Sequence, residues 1–399
     1  MTENRESGGA SLHLLETTFH AQSSRDLRRR DDLIRLGPMS SIALAKPANN
    51  EPTSDLQSAT LQPNRVRTMR WPILGAVRFF LALVVAGAHL ALYAGPNSKV
   101  LVLQYFSGLA AVLGFLVISG YSIAASFAKQ RDGFYARRAL RILPLYAVMI
   151  VLIALLPYIN KAFGAPNRGQ LLGNLFLLQG FFVKPIPANP VVWTLSVEAF
   201  FYLATPLIAR LSQRALMITI CISAAACGFA RFLNLPFYEG LLFGTNVLLL
   251  GWAWILGFWA YRNAGNGHTL LIAQSIGMCT IALINSSFLM FLWPITWAIT
   301  IVGVGYGHRV RYNKRVAQYF SVLGDASYPL YLFHLPVFSL IKVFNLSTSA
   351  SLYLIIVVVV SILLDRFFDR PFKRLVIATA RPRYQKHSQP AAVLPSPLT

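Results

Sequence analysis

Acidic residues and cysteines are scarce in this sequence. Its 399 residues include 14 acidic side chains against 36 basic ones, and its three cysteines are Cys221, Cys227 and Cys279. Each cysteine lies inside an apolar run, without the spacing of a metal site or of a disulfide framework. The sequence also lacks a P-loop, an HExxH helix and a serine nucleophile elbow. These absences argue against nucleotide hydrolysis, zinc-dependent hydrolysis and a metal cofactor.

Charge is rare relative to apolar side chains. Only 13% of the residues are charged and 55% are hydrophobic, whereas soluble domains carry about 25% charged residues. The basic residues form short clusters between long apolar runs, which is typical of the cytoplasmic loops of membrane proteins. We therefore expect a protein surrounded by membrane lipid, and we do not expect nucleic acid as a partner.

The chain divides into three predicted regions. Residues 1–70 are polar and rich in Ser, Asn, Arg and Pro, which predicts a disordered cytoplasmic extension. No apolar core precedes residue 70, so this region does not resemble a secretory signal. Residues 71–376 hold the apolar segments and form the predicted transmembrane domain. Residues 377–399 are predicted to form a cytoplasmic tail.

The apolar segments predict an all-α, polytopic membrane protein with about ten spanning helices. Most of them approach the ~20 residues that a helix needs to cross the bilayer core. They are residues 72–94, 101–128, 142–158, 191–209, 215–230, 241–261, 269–286, 288–307, 326–344 and 350–365. A further apolar stretch, 171–183, is too short to span and is predicted to be re-entrant or interfacial.

The distribution of basic residues predicts the topology. With ten spans and a cytoplasmic N-terminus, every dense basic cluster lies on the cytoplasmic side, as the positive-inside rule requires. These clusters are residues 129–141, Arg210 and Arg214, Arg262, residues 308–315 and residues 369–374. We therefore expect a multi-pass protein of the bacterial cytoplasmic (inner) membrane with both termini in the cytoplasm.

Arg78 and His89 bracket ten uncharged residues of the first apolar segment. Eleven residues make just over three helical turns, so the two side chains share one face, roughly 16 Å apart along the axis. That distance is comparable with the reach of a phosphopantetheine arm. Ionisable side chains are costly against lipid and should face a protein interior or a wet cavity. The structural alternative is a snorkelling arginine and a histidine bonded to a neighbouring carbonyl.

Glu198 is the one acidic residue well inside an apolar segment. If its helix runs from the outside inward, Glu198 lies about two turns below the outer surface, at the depth of His89. A carboxylate there could orient the imidazole, raise its basicity or hold an incoming hydroxyl. The alternative is a structural pair with an arginine or with backbone amides.

Arg138 and Arg141 are three residues apart at the start of the third predicted span, so they are neighbours on one helix face. Two guanidinium groups suit phosphate oxygens, although arginines at a cytoplasmic helix end are also ordinary topology signals. Ser119 and His334 lie in mid-membrane. Each could line a cavity, or each could serve helix packing.

Several of these elements occur in the order found in the membrane acyltransferase-3 family, the bacterial integral-membrane O-acyltransferases, which this chain resembles from about Trp71 to Leu375. They are the Arg78–His89 element, FLVISGY (115–121), RRALRILPLY (137–146), WTLSVEAFFYLATP (193–206), GDASYPLYLFHLPV (324–337) and DRPF (369–372). The chain departs from the family pattern at Thr194, Ala199 and Asp369, and none of these departures changes His89. We expect the stand-alone type, without the periplasmic esterase-like domain of some relatives.

The resemblance implies a function and a set of roles. Family members move an acyl group, most often acetyl, from cytoplasmic acyl-CoA to hydroxyls of glycans or glycolipids, generally at the outer face. Carried over, His89 would be the catalytic residue, as general base or as acyl carrier, with Glu198 as the acidic position. The donor-binding residues would be Arg78, Arg138 and Arg141. We also predict substrate contacts for Trp193, Ser119 and His334.

A transporter or flippase is the alternative function. In that reading His89 and Glu198 would form a proton relay. The sequence shows no convincing internal repeat, which weakens the case for a transporter built from duplicated halves.

Overall fold

The computed structural model describes residues 71–94, 99–163, 165–233, 235, 238–284, 291–307, 310, 313–346 and 349–386. Within these residues the regular structure is helical, apart from one isolated bridge between Gln179 and Val183. The all-α prediction is confirmed. The predicted extension, residues 1–70, lies outside the described residues, as does most of the predicted tail.

The described part of the chain contains twelve α-helices. In chain order they are α1 Pro72–Leu90, α2 Gly108–Lys129, α3 Phe134–Ile159, α4 Arg168–Leu175, α5 Trp193–Ile208, α6 Gln213–Ala230, α7 Thr245–Arg262, α8 Thr269–Ile284, α9 Trp293–Tyr306, α10 Lys314–Val343, α11 Ala350–Leu364 and α12 Arg370–Lys386. A π-helical turn, Asp365–Asp369, joins the last two. α12 continues through residue 377, where the predicted cytoplasmic tail begins, and the tail itself stays a prediction.

Six helical segments in the described residues are long and apolar enough to cross a membrane. They are Pro72–Leu90, Gly108–Lys129, Phe134–Ile159, Pro190–Ile208, Gln213–Ala230 and Ala350–Thr379. Two shorter apolar helices, α8 and α9, accompany them. The chain is a multi-pass membrane protein, and the total of ten spans remains a prediction.

The second span begins later than its apolar composition predicts. Residues Lys99–Phe106 form a separate 3-10 turn, and α2 starts only after Ser107. Ser107 has a positive φ of 63°, and its hydroxyl accepts a hydrogen bond from the amide of Ala110, as an N-cap residue does. Hydropathy does not detect the end of one helix and the start of the next here, because the residues on both sides of Ser107 are apolar.

Close glycine contacts bring together the helices that carry the predicted site. A Cβ on Gly324 of α10 would lie 2.5 Å from the Cα of Gly75 of α1, and a Cβ on Gly257 of α7 would lie 2.0 Å from the carbonyl oxygen of Val117 of α2. Small residues let membrane helices approach to backbone contact. α1 therefore packs directly along α10, and α2 along α7.

The segment between α3 and α5 folds into the bundle instead of crossing it. α4 has only eight residues, and the loop behind it buries Gln179 and Asn189 completely. Gln179 Nε2 donates to the carbonyl oxygen of Val192 at 2.8 Å, and Asn189 Nδ2 donates to that of Leu332 at 2.9 Å. Because these amides anchor the loop internally, α5 begins at a buried residue, Trp193.

Candidate functional site

A cavity of about 80 Å³ lies between α1, α2, α3, α5 and α10. We call it the arginine pocket because three arginines line it. Its polar lining is Arg78, Ser119, Ser122, Arg138, Arg141, Thr194, Glu198, Tyr202, Ser327, Tyr328 and Tyr331. Apolar side chains such as Phe115 and Leu195 complete the walls. A space of this size holds several water molecules.

Serines on one face of α2 hold the charged side chains of the pocket. Arg78 donates through Nη2 to the hydroxyl of Ser122 at 2.8 Å. One turn away on the same face, Ser119 donates to Glu198 Oε1 at 2.8 Å. Spacings of three and four residues place side chains on the same helix face. Neutral hydroxyls therefore orient both charges without neutralising them.

Arg138 is held in a similar way one turn further along α2. Its Nη2 donates to the hydroxyl of Ser126 at 3.3 Å, and its guanidinium lies 5.8 Å from the ring centre of Phe134. The Nε of Arg138 is buried and has no hydrogen-bond partner among the described residues. Arg141, on the next turn of α3, lines the pocket and remains exposed. Both arginines keep donor capacity for an anionic ligand.

Among the described residues, Glu198 is the only carboxylate in the lining of the pocket. Besides Ser119, the phenol of Tyr202 donates a short hydrogen bond to the same oxygen, Oε1. In the described part of the chain, no ion pair joins Glu198 to an arginine. Three guanidinium groups thus face one carboxylate, and the pocket carries a net positive charge that attracts anions.

His89 and His334 form a second polar group, which we call the histidine pair. His334 Nε2 lies 3.4 Å from His89 Nδ1, and the ring centres are 5.2 Å apart. His89 Nδ1 is also 2.8 Å from the carbonyl oxygen of Val85, and His334 Nδ1 is 2.8 Å from that of Tyr331. His334 is fully buried, whereas His89 is partly exposed.

Tyr331 separates the arginine pocket from the histidine pair. Its hydroxyl lies 2.6 Å from Thr194 Oγ1, and its ring lies 5.5 Å from that of Phe115, so it forms part of the pocket wall. On its other side the ring centre is 6.2 Å from that of His334. Tyr331 therefore contacts both groups.

The structure places the predicted site residues in two groups. The arginine pocket contains Arg78, Ser119, Arg138, Arg141 and Glu198. The histidine pair contains the other two ionisable residues, His89 and His334.

Trp193 belongs to neither group. It is buried and stacks on Tyr238, with ring centres 5.6 Å apart, outside the lining of the pocket. Its predicted contact with substrate therefore has no support in this geometry.

The structure does not place Glu198 at the level of His89, and its predicted depth in the membrane stays a prediction. Thr194, one turn before Glu198, already contacts Tyr331, which is three residues before His334 on α10. Glu198 therefore lies about two turns from the level of the histidine pair and shares the level of Arg78 instead. The reason is the anchored loop before α5, which makes this helix start at a buried residue.

Some residues of the site were not singled out from the sequence. Tyr202 follows Glu198 at the i,i+4 spacing of helix neighbours, and Ser122 and Ser126 continue the spacing of Ser119. Those spacings in the sequence already indicate that these side chains share a helix face with Glu198 and Ser119. Tyr331 offered no such signal, because its position between the two groups depends on contacts between distant helices.

Comparisons with known proteins show what this chain is similar to. A protein-family model described as an acyltransferase domain matches residues 71–366. Acyltransferase MdmB of Streptomyces mycarofaciens is 30% identical over 161 residues, which cover 37% of this chain and 41% of that relative, about two fifths of its length. A predicted acetyltransferase of Acidianus two-tailed virus, ORF330, is 27% identical over 288 residues, 66% of this chain and 82% of the viral protein. No solved structure matches this chain.

Proposed function

This chain belongs to the acyltransferase-3 family of acyl-transferring enzymes, and from that premise we propose that it is a membrane O-acyltransferase. The donor is cytoplasmic acyl-CoA, with acetyl as the simplest acyl group. The acceptor is a hydroxyl of an extracytoplasmic or lipid-linked glycan, such as an exopolysaccharide or a lipopolysaccharide. The protein works in the bacterial cytoplasmic membrane with both termini in the cytoplasm.

The arginine pocket is the observation that supports the donor. Three guanidinium groups with one carboxylate make a cationic cavity in an apolar bundle, and the unpartnered Nε of Arg138 retains a donor for an anion. Phosphate and pyrophosphate groups are the natural ligands of clustered arginines. In this proposal the phosphates bind to the arginines of the pocket, and the pantetheine arm extends from there toward His89.

His89 is the proposed catalytic residue. It follows Arg78 by eleven residues on α1, about 16 Å along the axis, so an arm that starts at the arginines can present its thioester near the imidazole. His89 accepts the proton of the acceptor hydroxyl, whose oxygen forms the new bond to the thioester carbonyl carbon. The carbon–sulfur bond then breaks, and the leaving thiolate takes up the proton. An acyl-histidine intermediate is a second route with the same residues.

The transporter alternative has less support. A proton relay needs His89 and Glu198 close together, whereas the hydrogen bonds of Glu198 go to Ser119 and Tyr202 at the level of the arginine pocket. The family and both curated relatives are acyl-transferring. The histidine pair and the pocket fit an enzyme with separate donor and reaction regions.

Reconstituted protein tests this function directly. Proteoliposomes supplied with labelled acetyl-CoA and glycan extract should release CoA and label the glycan, without net transport of solute. Mass spectrometry of the surface glycan should show fewer acyl groups in a deletion strain than in the parent. Unchanged glycan acylation in that strain would contradict the proposal.

His89→Ala is the matching variant. General base catalysis contributes roughly 10²–10⁴-fold, so turnover should fall by at least about 100-fold. The control is His268→Ala, since His268 is an exposed histidine in the loop before α8. A folded His89→Ala protein with near-normal turnover would remove His89 from the mechanism.

A further inference from the structure

The hydrogen bonds of the histidine pair determine which nitrogen of each ring carries a hydrogen. His334 Nδ1 is 2.8 Å from the carbonyl oxygen of Tyr331. A carbonyl oxygen can only accept, so this ring nitrogen carries the hydrogen. In a neutral imidazole the other nitrogen then holds the lone pair. His334 Nε2, which faces His89, is therefore an acceptor.

The same reasoning applies to His89. Its Nδ1 is 2.8 Å from the carbonyl oxygen of Val85, one turn earlier on α1, and 3.4 Å from His334 Nε2. A hydrogen on His89 Nδ1 satisfies both neighbours at once. The reverse arrangement has a hydrogen on His334 Nε2 and a lone pair on His89 Nδ1. That lone pair would then face the lone pairs of the Val85 carbonyl oxygen at 2.8 Å, which is repulsive.

We infer that His334 is a positioning residue for the reaction proposed above, and that it acts by fixing His89 in the tautomer with the hydrogen on Nδ1. This inference rests on the proposed function. In this tautomer the lone pair of His89 is on Nε2, so Nε2 is the nitrogen that takes the proton from the acceptor hydroxyl. The ring of His89 need not reorient or exchange protons before each turnover.

His334 also stabilises the charged state of the reaction. When His89 receives a proton on Nε2, its Nδ1 hydrogen bonds become charge-assisted, and such bonds are about twice as strong as neutral ones. His334 remains neutral and keeps its acceptor in place. Its own ring is fixed by the Tyr331 carbonyl and by contacts with Tyr331 and Phe338, whose ring centres lie 6.2 Å and 5.9 Å away.

Packing alone is the competing role for His334. It lies among aromatic side chains, and a phenylalanine of similar shape could fill the same space. A packing residue would not depend on which nitrogen carries a proton. The two roles therefore differ in a spectroscopic property and in how substitutions change kcat.

Nitrogen-15 spectra of histidine-labelled protein in nanodiscs test the tautomers directly. His89→Gln and His334→Gln variants assign the two resonance sets. Both rings should show a protonated Nδ1 and an unprotonated Nε2 in the neutral state. A hydrogen on Nε2 of either neutral ring would overturn the inference, whether or not the protein transfers acyl groups.

Kinetics test the positioning role. His334→Phe keeps a ring and removes the acceptor, whereas His334→Gln can place its amide oxygen near the position of Nε2. We expect His334→Phe to lower kcat by about 10- to 100-fold, as for loss of a hydrogen bond to a charged group, with KM for acyl-CoA unchanged. His334→Gln should restore kcat to within about threefold. Equal kcat values for the two variants, or a changed KM alone, would overturn the role.

The two readouts separate this inference from the proposed function. If wild-type protein fails to use acyl-CoA but shows both predicted tautomers, the function is wrong and the hydrogen-bond assignment is right. If it transfers acyl groups but either neutral ring carries its hydrogen on Nε2, the function holds and the role of His334 is wrong.

Discussion

Two charged regions of this protein differ in the partners of their arginine side chains. In the arginine pocket, Arg78 and Arg138 are held by serine hydroxyls. At the junction of α11 and α12, Arg370 lies 2.5 Å from the carboxylate of Asp365 and 3.1 Å from that of Asp325 on α10. The first arrangement orients a charge and leaves it available, and the second neutralises it.

The difference separates binding from structure. A cation paired with a buried carboxylate has satisfied its charge and ties helices together, while a cation bonded to neutral hydroxyls can still gain from an incoming anion. Asp325 and Asp365 account for two of the few acidic residues after residue 70, and both belong to the junction. The pocket is left with Glu198 alone.

Arg370→Ala should give the largest effect, on stability. The side chain of Asp365 is 5% exposed and that of Arg370 is 29% exposed, so the loss should lie at the lower end of the about 3–5 kcal/mol for a buried pair. We expect the free energy of unfolding in a denaturing-detergent titration to fall by about 3 kcal/mol. KM for acyl-CoA should stay within twofold in the folded protein. A large rise in KM at unchanged stability would make Arg370 a binding residue.

Arg78→Met should chiefly affect activity. The substitution keeps an apolar stem near Ser122 and removes the charge from the pocket, so kcat/KM for acyl-CoA should fall by about 100-fold, or ~2.7 kcal/mol. Stability should change little, because no ion pair of Arg78 occurs among the described residues. Thermal unfolding alongside the kinetic assay checks both statements. A destabilised protein with normal kinetics would mean that Arg78, like Arg370, has a structural role and not a binding role.

Arg138→Ala should weaken donor binding by about tenfold in KM, with kcat within a factor of two, as expected for one lost charge-assisted contact. Arg137→Ala is the matched control. Arg137 is the preceding residue, but its guanidinium donates to the backbone carbonyls of Asp132 and Gln130 outside the pocket. Equal effects of the two substitutions would mean that general cytoplasmic charge, rather than the pocket, attracts the donor.

Ser122→Ala should have the smallest effect. It removes one hydrogen bond that orients Arg78 and leaves the arginine charge in place, so kcat/KM should fall by about two- to fivefold. Ser122→Thr, which keeps a hydroxyl, should recover most of this loss. A fall as large as that of Arg78→Met would show that the hydroxyl itself contacts the donor.

Much of the fold could be predicted from the sequence because lipid imposes a simple rule. Backbone groups in a bilayer must bond within the segment, so long apolar runs become helices. The same rule identified Arg78, Glu198 and His89, since an ionisable residue in such a run needs a protein environment. The break before α2 did not follow from this rule, because the residues around Ser107 are apolar on both sides.

The arrangement within the site was harder to predict. Hydropathy does not show how helices are offset along their axes, so it did not show that Glu198 lies closer to the level of Arg78 than to that of His89. The buried amides of Gln179 and Asn189, which carry the loop into the bundle, look like ordinary loop residues in the sequence. The meeting of His89 with His334 depends on α1 and α10, which are separated by more than 200 residues along the chain.

The contact between Gly75 and Gly324 has a consequence for tolerance to mutation. α1 and α10 run parallel from this crossing to the histidines, fourteen residues further on α1 and ten on α10, so the crossing lies about 15–20 Å from the rings. A side chain at either glycine would increase the distance between the two helices at this crossing. It would also change the angle between them, and so displace the two histidines relative to each other. Two residues that have no functional groups of their own therefore set the spacing of the proton-carrying rings.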